Sequence, residues 1–86
     1  VARTAAVAER LHADDVWVEA ELGEIGGKDG VHSATARTDP AEAAEYVRAT
    51  GVDALAVAVG SSHAMTSRTA TLDQDLISRL RQAVDV

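Results

Sequence analysis

Two short apolar segments, each running into glycine and polar side chains, constrain the fold of this chain more than any other feature. The first, residues 16–22, alternates apolar and polar side chains and leads into a glycine-rich, acidic stretch at residues 23–27. The second, residues 55–59, is followed by glycine, two serines and a histidine at residues 60–63. A helical pattern lies between them, so the segments predict a βαβ unit with its polar chemistry at one end. In parallel α/β folds ligands bind outside the carboxyl ends of the strands, because loops and helix N-termini converge there.

Helical patterns flank and separate the two predicted strands. Residues 1–13 are rich in alanine and form the first helical pattern. The helix between the strands has the strongest local signals, with Asp39 as N-cap, Pro40 at the first helical position and Gly51 just past the end. A last helix begins near Asp73 and should turn its apolar residues to the core, namely Leu76, Ile77, Leu80, Ala83 and Val84. The predicted order is α-β-α-β-α, and a right-handed crossover makes the strands parallel and adjacent.

A sheet of only two parallel strands predicts a piece of a larger α/β fold. Such a sheet has two unpaired edges, whereas all-parallel sheets are normally wider and covered on both faces. One face of the second strand carries only small residues, as in the crowded interior of a closed barrel: Ala54, Ala56, Ala58 and Gly60. We therefore expect residues 1–86 to form part of one larger α/β domain, with no second domain.

Composition excludes several classes of function. The 86 residues carry a formal net charge of -6, and the 8 Lys and Arg residues are scattered, so no basic stripe for nucleic acid is present. No apolar run reaches the roughly 20 residues of a membrane span, and we expect no membrane partner. The chain has no cysteine, which is compatible with a reducing cytoplasm, the expected location.

Four separated motifs, in order, carry a resemblance to a known family. They are Val-Glu-Ala-Glu-Leu-Gly-x-Ile-Gly-Gly at residues 18–27, Thr-Asp-Pro-x-Glu-Ala at residues 38–43, Thr-Gly-Val-Asp-x-Leu-Ala-Val-Ala-Val-Gly at residues 50–60, and His63. The chain resembles the class II metal-dependent aldolases, the fructose-bisphosphate and tagatose-bisphosphate group. The resemblance implies a (β/α)8 barrel of which this chain is an internal fragment, roughly the fourth helix through the sixth helix.

The resemblance implies a catalytic zinc site. It makes His63 one of three histidine ligands to Zn²⁺, which keeps a position open to polarise a carbonyl and stabilise an enediolate. Glu21 aligns with the family's carboxylate beside the metal, where it would orient a ligand imidazole or act as an alternate ligand. Without the resemblance, a histidine beside two serines is more often a solvated loop residue. His12 and His32 match no motif and are interpreted as surface residues.

Proton transfer is implied for the acidic group on the loop after Gly26 and Gly27. The family usually shows Glu and Asp where Lys28 and Asp29 stand, so Asp29 takes this role, and Glu24 is the alternative.

Substrate phosphate is implied to bind after the second strand. Gly60 and Ser61 match a loop that binds phosphate through backbone N–H groups, together with a monovalent cation. The family often has glycine directly after the histidine, and Ala64 stands there, still able to donate its N–H.

The expected function is that of a class II aldolase, a lyase of carbohydrate metabolism and glycolysis. It would reversibly cleave a ketose 1,6-bisphosphate to dihydroxyacetone phosphate and an aldehyde, with a sugar phosphate as ligand and a homo-oligomer as assembly. The isolated chain should be inactive, because it supplies one metal ligand of three. Two alternatives stay open: a non-catalytic barrel fragment that self-associates through its open edges, and another phosphate-binding TIM-barrel enzyme. The latter does not explain why Glu21 and His63 fall in these motifs.

Overall fold

The computed structural model describes residues 1–22, 36–61, 67 and 71–86. Its elements are α1 (Ala2–Ala13), β1 (Glu19–Glu21), α2 (Pro40–Thr50), β2 (Ala54–Ala56) and α3 (Gln74–Ala83). β1 and β2 pair in parallel, with Glu19 opposite Ala54 and Glu21 opposite Ala56. The predicted order and the parallel pairing are therefore confirmed.

The bounds of α2 follow from its capping residues. The Asp39 carboxylate accepts a hydrogen bond of 3.0 Å from the Glu42 N–H, which would otherwise lack a partner in the first turn. Pro40 occupies the first turn, where its missing N–H costs nothing. The helix ends at Gly51, which has a left-handed φ of 71° and donates its N–H to the Val47 carbonyl at 2.9 Å. All three predicted signals are confirmed.

The other two helices also lie where the pattern predicts them. α1 ends at Asp14, and Asp15, with a φ of 60°, turns the chain towards β1. α3 begins after Asp73, whose carboxylate caps the helix by accepting from the Leu76 N–H at 3.0 Å. Ala83 is predicted in the core but is exposed at the last turn. Val84, also predicted there, packs on the core. Across the described ranges, no helix has the length and apolar character needed to cross a membrane.

Small aliphatic side chains build two core clusters on the helix side of the sheet. The first contains Ala8, Val18 and Val52, and α1 and α2 both contribute residues to it or pack on it. The second joins α2 to α3 and consists of Ala43, Leu76 and Leu80, with partly buried neighbours at Leu22, Leu55, Val57, Val59 and Val84. Ala43 is completely buried, so the two helices approach closely at this position.

The opposite face of the sheet, which we call the open face, carries the carboxylates of β1. Glu19 and Glu21 are exposed, while Val18 between Trp17 and Glu19 is buried on the helix side. Because paired residues of neighbouring strands point to the same side, Ala54 and Ala56 lie on the open face beside these two carboxylates. In a closed barrel this face is the interior.

Candidate active site

Glu21 is the predicted site residue that the structure places most directly. It is the last residue of β1, lies on the open face and is exposed. Its partner across the pair is Ala56, a residue with a small side chain. Glu21 is therefore an accessible acid at the carboxyl end of a parallel strand, where ligands bind in this class of fold.

The connection that follows β1 leaves and rejoins the same edge of β2. At its start the Leu22 N–H points to the Ala56 carbonyl at 3.5 Å. At its end the Thr38 N–H donates to the Ala58 carbonyl at 2.9 Å, and the Thr38 hydroxyl accepts from the Ala58 N–H at 2.7 Å. We call the two hydrogen bonds between Thr38 and Ala58 the first neck. Glu24 and Asp29 belong to the connection but lie outside the described residues.

The connection that follows β2 is also closed at its base, and we call this closure the second neck. The Asp73 N–H donates to the Val59 carbonyl at 2.7 Å. Gly60 is buried and has a φ of 123°, and a Cβ added there would lie 2.4 Å from the Thr71 carbonyl oxygen. Glycine is therefore required for this close approach, a structural role beside the predicted phosphate contact. Ser61 is half-buried next to it.

Two further residues predicted in the second connection, His63 and Ala64, lie outside the described part of the chain. Within that part, no group of three histidine, cysteine, aspartate or glutamate side chains could hold a metal ion. The family resemblance implies one histidine ligand, His63, in this chain. A carboxylate and an imidazole are donor types that fit zinc.

An ion pair joins the two necks. Arg37 Nε lies 3.4 Å from Asp73 Oδ2, and the Arg37 Nη1 group donates to the Ala36 carbonyl at 2.8 Å. The Leu76 N–H, with a smaller contribution from Arg37, lowers the pKa of Asp73 below its ordinary value. Sequence analysis identified Asp73 as the start of a helix but missed Arg37 and the Thr38 hydroxyl, because no periodicity links them to their partners.

His12, interpreted as a surface residue, is exposed at the end of α1. It pairs with Asp53, which precedes β2. This pair lies at the amino ends of the strands, opposite the candidate site.

A parallel βαβ unit with an exposed carboxylate at its carboxyl edge is the building unit of parallel α/β folds. The sequence matches the family described as fructose-bisphosphate aldolase class-II over residues 1–86, and the chain belongs to this family. The fold is accordingly a piece of an aldolase (β/α)8 barrel, and the resemblance is confirmed.

A solved structure supports the same assignment. The crystal structure of the YdjI aldolase from Escherichia coli K12 is similar to this chain, with 36% sequence identity and a TM-score of 0.78. The match covers 96% of this chain and 27% of that one, so this chain spans about a quarter of the length of the YdjI aldolase structure.

Proposed function

We propose that this chain supplies part of the active site of a zinc-dependent class II aldolase that reversibly cleaves a ketose 1,6-bisphosphate to dihydroxyacetone phosphate and an aldehyde. The observation that carries the proposal is the position of Glu21. An exposed carboxylate ends a parallel strand on the open face, in a chain of the class II aldolase family. We further propose a place in cytoplasmic carbohydrate metabolism, including glycolysis.

His63 would be a ligand of the metal, and Glu21 would orient a ligand imidazole. When bound, Zn²⁺ supplies a Lewis acid that polarises the substrate carbonyl. Glu21 would accept the second ring N–H of a ligand imidazole and so fix the tautomer and the direction of the ring. The parallel pairing supports this division, since Glu21 ends β1, His63 comes after β2 in the sequence, and the two strands end at the same edge of the sheet.

Proton transfer falls to Asp29, with Glu24 as the alternative. In the cleavage direction the acid gives a proton to the carbon from which the aldehyde has departed. In the reverse direction the carboxylate removes a proton from the same carbon of dihydroxyacetone phosphate.

The substrate phosphate would be bound by backbone N–H groups of Gly60, Ser61 and Ala64, with a monovalent cation nearby. The second neck fixes the backbone of Gly60, the first residue of this segment.

The test of the proposal is chelator-sensitive aldol cleavage by the full gene product that contains residues 1–86. Fructose and tagatose 1,6-bisphosphates are offered in parallel, and release of dihydroxyacetone phosphate is followed together with the zinc content of the protein. Chelation should abolish cleavage and added Zn²⁺ should restore it. His63→Ala should lose both zinc and activity, whereas His32→Ala, which changes a histidine outside the motifs, should keep both. An active, zinc-replete His63→Ala protein would refute the ligand assignment.

The proton-transfer role has its own test. Asp29→Asn should slow exchange of the carbon-bound proton of dihydroxyacetone phosphate with solvent, while Glu24→Gln should leave it near the original rate. The reverse result would move the role to Glu24.

A second candidate, self-association of the isolated chain, rests on the open face. Trp17, two residues before β1, is 80% exposed. Within the described residues the sheet has two strands, so β2 pairs with β1 on one edge alone. An exposed parallel edge and an exposed indole favour contact with another copy, and we propose a homo-oligomer.

A further inference from the structure

We propose that Arg37 and Asp73 form a positioning pair, which fixes the spacing of the two connections that leave the carboxyl ends of β1 and β2. This inference rests on the proposed function only for the catalytic role that it gives to the spacing. The pair itself rests on contacts among residues 36–39, 58–60 and 71–76.

Each neck is held by hydrogen bonds to the backbone of residues just after β2, and the two residues are consecutive. The first neck uses both polar backbone groups of Ala58, through Thr38. The second uses the Val59 carbonyl, through the N–H of Asp73. The ends of the two connections are therefore held at neighbouring points, and their relative direction depends on what joins the necks.

Arg37 and Asp73 are placed to provide that joint. Arg37 precedes Thr38 directly, so its backbone is fixed by the contact of Thr38 with Ala58. Asp73 uses one oxygen to cap α3 and the other to face Arg37 Nε. The carboxylate thus ties three parts of the chain together: the first neck, the second neck and the N-terminus of α3.

The pair has a consequence for catalysis if the proposed function holds. The first connection carries the acid that transfers the proton, and the second carries His63 and the phosphate-binding N–H groups. A fixed spacing between them keeps the acid in reach of the reacting carbon. Arg37 is in this sense a positioning residue, because it acts through the connections and not on the substrate.

The first measurement is amide hydrogen exchange in the full gene product that contains residues 1–86. Arg37→Gln should make the N–H groups of Thr38 and Asp73 exchange about two- to fivefold faster, the range expected for an exposed ion pair. Asp73→Asn should do the same, since asparagine caps a helix as well as aspartate and α3 stays intact. The double variant should exchange no faster than either single one, because both remove the same contact.

Two matched variants distinguish loss of the ion pair from a general effect of removing a positive charge. Arg37→Lys keeps the positive charge and should restore most of the protection. Arg81→Gln removes another exposed arginine, in α3, and it should leave Thr38 unchanged. Unchanged exchange in Arg37→Gln, or an equal change in Arg81→Gln, would overturn the proposal.

The second measurement is steady-state aldol cleavage by the full gene product. Arg37→Gln should lower kcat about tenfold, within the hundredfold that a misplacement of about 1 Å can cost, and leave KM nearly unchanged. Arg37→Lys should recover kcat. Faster exchange with an unchanged kcat would overturn the positioning role. If the original protein shows no aldol cleavage, the proposed function fails, and the exchange experiment alone decides whether the pair joins the necks.

Discussion

His12 Nε2 lies 2.6 Å from Asp53 Oδ2, and the same carboxylate oxygen accepts a hydrogen bond of 2.9 Å from the Val18 N–H. His12 stands at the end of α1, Val18 just before β1 and Asp53 just before β2. The Asp53 N–H also donates to the Val18 carbonyl at 2.8 Å. Asp53 thus joins the beginnings of both strands and connects α1 to the sheet.

This arrangement predicts a loss of stability in acid. The Val18 N–H, followed by the hydrogen bond from His12, lowers the pKa of Asp53 below its ordinary value. A carboxylate with a lowered folded-state pKa stabilises the fold above its unfolded pKa of about 3.9, and this stabilisation is lost as the pH falls through the folded value. The urea midpoint should therefore fall as the pH drops below about 4.

Asp53→Asn should lower the urea midpoint at neutral pH and flatten its dependence on acid pH. Asp85→Asn, which changes an exposed carboxylate beyond α3, is the control and should keep the original dependence. An acid profile that Asp53→Asn leaves unchanged would contradict the assignment.

Gly60→Ala should destabilise the chain more than Gly51→Ala, although both glycines have a positive φ. A Cβ at Gly60 would meet the Thr71 carbonyl oxygen at 2.4 Å, whereas one at Gly51 would meet nothing within 4 Å. Backbone strain and overpacking together should cost about 3 kcal/mol at Gly60, and strain alone about 1 kcal/mol at Gly51. Urea unfolding of the two variants measures the difference. Equal losses would show that the Thr71 segment moves aside without cost.

Thr38→Val should lower the free energy of unfolding by about 1–3 kcal/mol, because it leaves the buried N–H of Ala58 without its side-chain acceptor. Thr38→Ser keeps the hydroxyl and should cost about 1 kcal/mol for the lost methyl group. Urea unfolding gives the two energies, and amide exchange at Ala58 reports the hydrogen bond itself. A stability of Thr38→Val equal to that of Thr38→Ser would show that the hydroxyl contributes nothing.

The sequence predicts those features that depend on neighbours along the chain. Asp39, Pro40 and Gly51 each satisfy or end backbone hydrogen bonding within their own turn, so the bounds of α2 follow from local chemistry. Alternation likewise places Glu21 on the face away from the helices. The strands are shorter than residues 16–22 and 55–59 suggest, because a ladder extends only as far as both partners pair.

Contacts between distant residues could not be predicted in this way. Arg37 and Asp73 are 36 positions apart, and His12 and Asp53 are 41 apart, so no periodicity connects them. Asp29, His63 and Ala64 belong to the connections, where the alternation of strands and the 3.6-residue period of helices give no position. Their roles therefore stay predictions from the family motifs.

Trp17 offers a direct test of self-association, since it is the single tryptophan of the chain and is 80% exposed. In dilute solution its fluorescence should be that of a solvated indole and open to quenching by iodide. If copies associate through the open face, burial of the indole should shift the emission to shorter wavelength as concentration rises, in step with the mass from sedimentation equilibrium. Trp17→Ser should weaken the association, and Val7→Ser, which changes an exposed apolar residue of α1, should not. A chain that stays monomeric at the highest concentration would rule out the homo-oligomer for the isolated chain. The exposed indole would then be assigned to the interior of the complete barrel.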